Sequence, residues 1–151
     1  MIAGLASGLL LLAIIYFGTA EADTALFPEL GKQSEALARS MVETGPLLVV
    51  AAILANGILG PLVEEFAWRG YVQYRLVRAW GSWAGLAGTA VLFALKHIIV
   101  DVSLGRATTL LVGSFALGFI QQRWGTAAST AAHLIVNFIA TSCLFVTILR
   151  D

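Results

Sequence analysis

Charged side chains are scarce in this sequence: Asp, Glu, Lys and Arg make up 12% of its 151 residues, whereas hydrophobic residues make up 59%. An average soluble domain has roughly 25% charged residues, so this chain has too little polar surface to cover a water-soluble fold. Nine Lys and Arg balance nine Asp and Glu, without a run of basic residues. Membrane lipid is therefore expected as a partner, and nucleic acid is not.

Cysteine is almost absent, since Cys143 is the only one and lies within an apolar segment. This excludes an intrachain disulfide and metal sites of the CxxC type. A sustained alternation of apolar and polar residues, which would predict β-strands, is also missing. HExxH, Walker and G-x-S-x-G motifs do not occur either, so the common signatures of soluble zinc proteases, nucleotide-binding proteins and serine hydrolases give no guidance.

Long apolar segments are what the sequence has instead. A helix needs about 20 mainly apolar residues to cross a bilayer core. Four segments approach or reach that length, and a fifth is shorter; they are 1–20, 44–63, 80–100, 126–149 and 108–120. We therefore expect an all-α fold, a polytopic bundle of about five membrane helices. Seven of the 18 charged residues fall between residues 21 and 43, where we expect a short amphipathic segment at the membrane surface.

The first apolar segment allows two interpretations. Gly4 and Gly8 have the spacing that lets membrane helices approach closely, which favours a first membrane helix. The triplet Ala20-Glu21-Ala22 has the form of a secretory cleavage site, but the positively charged residues that begin such signals are missing. We divide the chain into an N-terminal membrane helix with its connector, residues 1–50, and a membrane core, residues 51–151.

Six polar side chains in or beside the predicted membrane helices are candidates for a functional site. An ionisable group at the centre of such a helix costs about 2.5 to 3.5 kcal/mol on insertion scales, so each one requires a partner or a function. The six are Glu64, Glu65, Arg69, His97, His133 and Asn137.

Helical spacing separates the two glutamates. Glu65 and Arg69 are four residues apart and share one helical face at ion-pair distance, whereas Glu64 is turned away by about 100°. We therefore predict that Arg69 neutralises Glu65 and leaves Glu64 available. In the alternative interpretation, both glutamates end the second membrane helix in the headgroup region.

The same spacing gives each histidine a neighbour. Phe93 and His97 are four residues apart, so the aromatic ring is expected to pack beside the imidazole; in the alternative, His97 is an interfacial residue. His133 and Asn137 lie on one face of the last helix, which indicates a polar cavity. A role as hydrogen-bonding groups between helices is the alternative for this pair.

Such a set of side chains has the chemistry of peptide hydrolysis. A carboxylate beside an imidazole can hold and deprotonate a water molecule. A second imidazole and an amide can stabilise the oxyanion that forms when this water attacks a carbonyl. Glu64, His97 and His133 would equally suit Zn²⁺, with a fourth position left for water. The residues alone leave both versions open.

Three segments carry a resemblance to a known family: residues 64–70 (EEFAWRG), 93–97 (FALKH) and 133–137 (HLIVN). In this order they are similar to the EExxxR, FxxxH and HxxxN motifs of the CPBP family. This family, also called ABI, comprises the CAAX-processing type II prenyl endopeptidases and the bacteriocin-processing or immunity proteins. The resemblance covers about residues 51–151. It departs from the family in Trp68, where many relatives have Phe, and in a shorter N-terminal part, as in a truncated form.

The resemblance implies an all-helical intramembrane protease, multi-pass in the plasma membrane of a prokaryote. By this likeness Glu64 is the general base, His97 helps to hold the water, and His133 with Asn137 forms the oxyanion site. The supporting residues are Glu65, Arg69 and Phe93. Family members are often called metalloproteases, although a glutamate-dependent mechanism without metal is also argued for them, so Zn²⁺ stays an open cofactor.

Three functions follow as hypotheses. The first is an endopeptidase that cleaves a membrane-associated peptide or protein near its C-terminus, with a substrate of the prenylated or of the signal or bacteriocin type. The second is a non-catalytic bacteriocin-immunity or scaffold protein whose polar residues bind a partner. The third is a small transporter or proton relay, since buried Glu and His also mark ion paths, although no inverted repeat is recognisable. The three motifs together favour the endopeptidase.

Overall fold

The computed structural model describes residues 2–101 and 104–150. Within these ranges the chain forms six helices and no strand. The helices are α1 (Ile2–Leu26), α2 (Pro28–Thr44), α3 (Pro46–Trp80), α4 (Ser82–Asp101), α5 (Ala107–Trp124) and α6 (Thr126–Arg150). The prediction of an all-α bundle is confirmed.

Four helices in the described ranges are long and apolar enough to cross a membrane: Gly8–Leu26 of α1, and the whole of α3, α4 and α6. The chain is therefore an integral membrane protein. The segment predicted as a fifth membrane helix lies in α5, which is longer than the apolar segment 108–120 and spans about 27 Å at 1.5 Å per residue, but α5 is not among these four helices. Its last turn is polar, with Gln121, Gln122 and Arg123. α5 packs against α1, α4 and α6.

α3 is a single helix of 35 residues, Pro46–Trp80, and extends well beyond the segment 44–63 that was predicted as the second membrane span. Two π-helical segments, Ala55–Leu59 and Phe66–Gln73, interrupt its α-helical geometry without ending it. The first precedes Pro61, which has no N–H and whose ring clashes with the carbonyl four residues earlier in a regular helix. The N–H of Gly60 accordingly donates to the carbonyl of Ala55, five residues back. The helix thus continues past the acidic pair.

Single glycines join α3 to α4 and α5 to α6. Gly81 and Gly125 have φ angles of 81° and 88°, a region of positive φ that glycine enters without steric penalty. Each turn reverses the chain within one residue, so the two helices that it joins lie side by side. α3 and α4 approach closely, because a Cβ on Gly85 would lie 2.4 Å from the backbone nitrogen of Val77.

α1 and α2 complete the bundle. Leu12 of α1 is buried in a cluster with Ile120 of α5 and Ala132 of α6, which supports the interpretation of the first apolar segment as a membrane helix. The amphipathic segment expected between residues 21 and 43 is almost entirely helical, because α1 continues to Leu26 and α2 begins at Pro28. The apolar face of α2 packs against the start of α3 and the end of α6.

Candidate active site

One cavity brings the four predicted site residues together. Glu64 of α3, His97 of α4, and His133 and Asn137 of α6 all line it. Its volume is about 110 Å³, and roughly 10 to 15 Å³ suffices for one water molecule. Most of the remaining lining comes from α1 and α5, with Leu12, Tyr16, Leu110 and Leu117 among its residues.

Glu64 is a partly buried carboxylate with two partners on α4. Its Oε1 accepts a hydrogen bond from Lys96 Nζ at 2.9 Å and lies 3.1 Å from His97 Nε2. Oε2 has no hydrogen-bond partner among the described residues. The prediction that Glu64 is left available is therefore right for one oxygen and wrong for the other, because Lys96 supplies a cation that spacing within α3 did not reveal.

The alternative interpretation, in which the two glutamates end their helix in the headgroup region, is wrong. The Glu64 side chain is 19% exposed and that of Glu65 is 0% exposed, and α3 continues to Trp80. Both carboxylates are instead directed at neighbouring helices, where histidines meet them.

His97 is held in place by Phe93, one turn earlier in α4. Its Nδ1 lies 2.9 Å from the carbonyl oxygen of Phe93, and because a carbonyl can only accept, Nδ1 must carry the hydrogen of this bond. The centroids of the two rings are 4.5 Å apart, which confirms the predicted packing. In the alternative interpretation His97 was an interfacial residue, near the charges at the end of α4. Those charges, Asp101 and Arg106, pair with each other at 2.8 Å, and His97 contacts Glu64 instead.

Glu65, Arg69 and His133 form a buried charged group beside the cavity. Arg69 Nε lies 3.4 Å from Glu65 Oε1, and both side chains are 0% exposed, which confirms the predicted pair. The same oxygen accepts a hydrogen bond from His133 Nδ1 at 3.0 Å. A carboxylate bound to one imidazole nitrogen fixes the orientation and the tautomer of the ring. Glu65 therefore neutralises Arg69 and orients His133.

Arg69 and Gln73, one turn apart on α3, connect this helix to α5. Arg69 Nη2 donates to both the carbonyl oxygen and the hydroxyl of Ser114 at 3.1 Å. Gln73 Nε2 donates to the carbonyl oxygen of Gly118 at 2.9 Å. Gly118 permits this approach, since a Cβ there would lie 2.7 Å from Gln73 Oε1 and 2.4 Å from Leu86 Cδ1.

Asn137 binds a backbone carbonyl that the irregular geometry of α3 leaves free. Its Nδ2 donates to the carbonyl oxygen of Asn56 at 3.3 Å. In a regular α-helix this carbonyl would accept from Gly60, but the N–H of Gly60 donates to Ala55, and the next residue, Pro61, has no N–H. The π-helical segment thus creates the acceptor that positions the amide of Asn137 beside the cavity.

Sequence reasoning missed four residues that hold this site: Lys96, Asn56, Gln73 and Ser114. Lys96 carried a signal, because a lysine inside an apolar helix needs a partner as much as a histidine does. Asn56 acts through its backbone carbonyl. The contacts of Ser114 with Arg69 and of Gln73 with Gly118 exist only because α5 packs on α3. For these three no signal in the sequence was available.

The three predicted metal ligands belong to two separate pairs. Glu64 meets His97, whereas His133 meets Glu65. In the part of the chain that the structure describes, no three His, Cys, Asp or Glu side chains are grouped closely enough to hold a metal ion. This arrangement of donors does not fit a metal centre.

Fold and cavity together define a class of protein: an integral membrane helix bundle with carboxylates, imidazoles and an amide around one cavity. A family model described as Type II CAAX prenyl endopeptidase Rce1-like matches residues 46–139. The chain belongs to this family and is, at the level of the family, an intramembrane protease of the CAAX type. The match confirms the resemblance that the three motifs indicated. No curated protein and no solved structure matches the chain.

Proposed function

We propose that this protein is an endopeptidase that hydrolyses a peptide bond of a membrane-associated substrate with a water molecule activated by Glu64. The observation that carries the proposal is the meeting of Glu64, His97, His133 and Asn137 around one cavity, from three helices. Roles in helix packing would give each of these residues a partner. They would not require all four to line the same cavity.

Glu64 is the general base of the proposed reaction. Its Oε2 has no hydrogen-bond partner in the part of the chain that the structure describes, and the residue lines the cavity. A water held there gives a proton to Oε2 while its oxygen attacks the carbonyl carbon of the substrate. His97 lies 3.1 Å from the other oxygen, Oε1, and helps to position this water through Glu64. The C–N bond then breaks, and the proton passes from Glu64 to the leaving amine, which restores the carboxylate.

His133 and Asn137 stabilise the oxyanion that forms on the carbonyl oxygen. Asn137 uses one amide hydrogen for the carbonyl of Asn56 and keeps the second for the oxyanion. His133 donates through Nδ1 to Glu65, and in its imidazolium form it carries a second N–H at Nε2 for the developing negative charge. Arg69 and Phe93 support the site by holding Glu65 and His97.

The proposed substrate is a membrane-associated peptide or protein of the prenylated or of the signal or bacteriocin type. Leu12, Leu110, Leu117 and Val136 contribute apolar side chains to the cavity lining, which suits an apolar peptide segment. A prenylated substrate is included because the family that the chain belongs to is described as prenyl endopeptidases. No step is routed through Zn²⁺, because the donors do not fit a metal centre.

Purified protein in liposomes tests this proposal with two quenched fluorescent peptides of one CAAX-type sequence, one farnesylated and one not. The wild-type protein is expected to cleave the farnesylated peptide faster, because this probe partitions into the bilayer. Glu64→Gln keeps the size of the side chain but removes the base, so it is expected to abolish cleavage without changing thermal unfolding in detergent. A folded wild-type protein that cleaves neither peptide, or a Glu64→Gln variant with full activity, would refute the proposal.

A further inference from the structure

Lys96 lies beside the candidate active site but not in its cavity. Its ammonium is 2.9 Å from Glu64 Oε1 and 3.3 Å from His97 Nε2, and these two atoms are themselves 3.1 Å apart. Glu64 and His97 line the cavity, whereas Lys96 does not. The three polar atoms form a compact triangle, of which the Lys96 corner lies outside the cavity.

The hydrogen bond from His97 to Phe93 indicates which protonation state of the imidazole is compatible with the contacts among Lys96, Glu64 and His97. Nδ1 carries a hydrogen, because the carbonyl oxygen of Phe93 accepts from it. In neutral His97, Nε2 therefore has only a lone pair, and it faces Glu64 Oε1 as a second acceptor at 3.1 Å. An ammonium group has three hydrogens and can donate to both acceptors. In an imidazolium, Nε2 would be a donor, and the 3.3 Å contact with Lys96 would set two cations against each other.

We propose that Lys96 is a positioning residue of the active site, whose ammonium joins Oε1 of Glu64 to Nε2 of neutral His97 and so leaves Oε2 of Glu64 for the water. The inference rests on the proposed function, because it takes Glu64 as the general base. Lys96 neither gains nor loses a proton in the reaction. Its ammonium places a positive charge between a carboxylate and an imidazole, and in a metallopeptidase a metal ion supplies this charge.

This role of Lys96 accounts for the misfit between the donor set and a metal centre. The ammonium already contacts both Glu64 Oε1 and His97 Nε2, and His133 is bound to Glu65 instead. Peptide cleavage by the wild-type protein is consequently expected to be insensitive to the chelator 1,10-phenanthroline.

Kinetics of Lys96 variants on the farnesylated peptide test this role. Lys96→Met keeps the length of the side chain and removes its charge, so kcat is expected to fall roughly 10- to 100-fold, as for the loss of a hydrogen bond to a charged group, with little change in KM. Lys96→Arg is expected to recover part of the rate. The Lys96 side chain is 38% exposed, so added ethylammonium can reach the space left in Lys96→Ala and is expected to raise its activity.

The matched control is Lys32→Met, since Lys32 is the only other lysine in the chain. Lys32 forms an exposed pair with Glu29 on α2, and its substitution is expected to leave kcat and KM unchanged. A purely structural role of Lys96 would lower the amount of folded protein and would not respond to ethylammonium. Lys96→Met with the kcat of the wild type would overturn the proposal.

Nitrogen NMR of protein labelled with ¹⁵N-histidine tests the contact independently of activity. The chain has two histidines, and His97 is expected to show a protonated Nδ1 and an unprotonated Nε2. In Lys96→Met the Nε2 signal of His97 is expected to shift, while the signals of His133 stay in place. An imidazolium at His97, unchanged His97 signals in Lys96→Met, or inhibition of the wild type by phenanthroline would overturn the proposal. Absence of cleavage by the wild type together with the expected shift would refute the proposed function but support the Lys96 contact.

Discussion

Asp23 in α1 caps the first turn of α5 at Thr109, 86 residues away in the sequence: its Oδ2 accepts a hydrogen bond from the backbone N–H of Thr109 at 2.9 Å. Its Oδ1 accepts from the N–H of Thr108 at the same distance. The first N–H groups of a helix have no partners within the helix, and negative charge is favourable there. Asp23 is only 3% exposed, so this cap fixes α1 to the helix that lines the cavity beside it.

Replacing Asp23 by Ala is expected to destabilise the bundle by about 1 to 2 kcal/mol, because it leaves two N–H groups of α5 without acceptors. Thermal unfolding in detergent should show a lower Tm. Glu21→Ala, at an exposed position in the same helix, is the control and should keep the Tm of the wild type. Equal Tm values for the two variants would contradict the cap.

Replacing Gly118 by Ala is expected to destabilise the packing of α5 on α3 and α4. The added Cβ would lie 2.4 Å from Leu86 Cδ1 and 2.7 Å from Gln73 Oε1, and overpacking of this kind costs roughly 1 to 3 kcal/mol. Gly113→Ala in the same helix is the matched control, since among the described residues no atom outside the adjoining turns of α5 lies within 4 Å of a Cβ there. The stability of the two variants can be compared by thermal unfolding, and Gly118→Ala as stable as Gly113→Ala would show that the helices are not this close.

Replacing Arg69 by Met is expected to be strongly destabilising, by about 3 to 5 kcal/mol, because it leaves the buried charge of Glu65 without its cation. Arg69→Lys is expected to recover little, since one ammonium cannot reproduce the planar group that reaches both Glu65 and Ser114. Arg75→Ala, at an exposed position six residues further along α3, is the control. Urea or thermal unfolding in detergent measures the difference, and a stable Arg69→Met protein would argue against a buried ion pair.

Replacing Asn137 by Ala is expected to lower kcat on the farnesylated peptide by about 10²-fold or more, as for the loss of one oxyanion donor. Asn56→Ala is an informative comparison, because Asn137 binds the backbone carbonyl of Asn56 and this acceptor survives the substitution. Asn56→Ala is therefore expected to keep most of the activity. If both variants lose activity equally, the side chain of Asn56 has a role that the Asn137 contact does not explain.

Helical periodicity accounts for much of what the sequence predicted. The pairs Glu65 with Arg69 and Phe93 with His97 depend only on neighbours four residues apart in one helix, and both contacts are present. Contacts of this kind follow from local geometry. They need no knowledge of how the helices pack.

Contacts between helices were beyond prediction from one sequence. Lys96 reaches Glu64 across 32 positions of the chain and His133 reaches Glu65 across 68, and no spacing rule connects such residues. The length of α3 was missed for a different reason. Pro61 predicts the end of a regular α-helix, but a π-helical segment accommodates it and carries the helix on to Trp80.

The rate of a single turnover tests the central claim most directly. With the protein in excess over the farnesylated peptide in liposomes, we expect Glu64→Gln to cleave at least about 100-fold more slowly than the wild type, because it lacks the base that activates the water. Glu43→Gln, at an exposed position at the end of α2, should cleave at the rate of the wild type. A Glu64→Gln protein that is folded and as fast as the wild type would contradict the account.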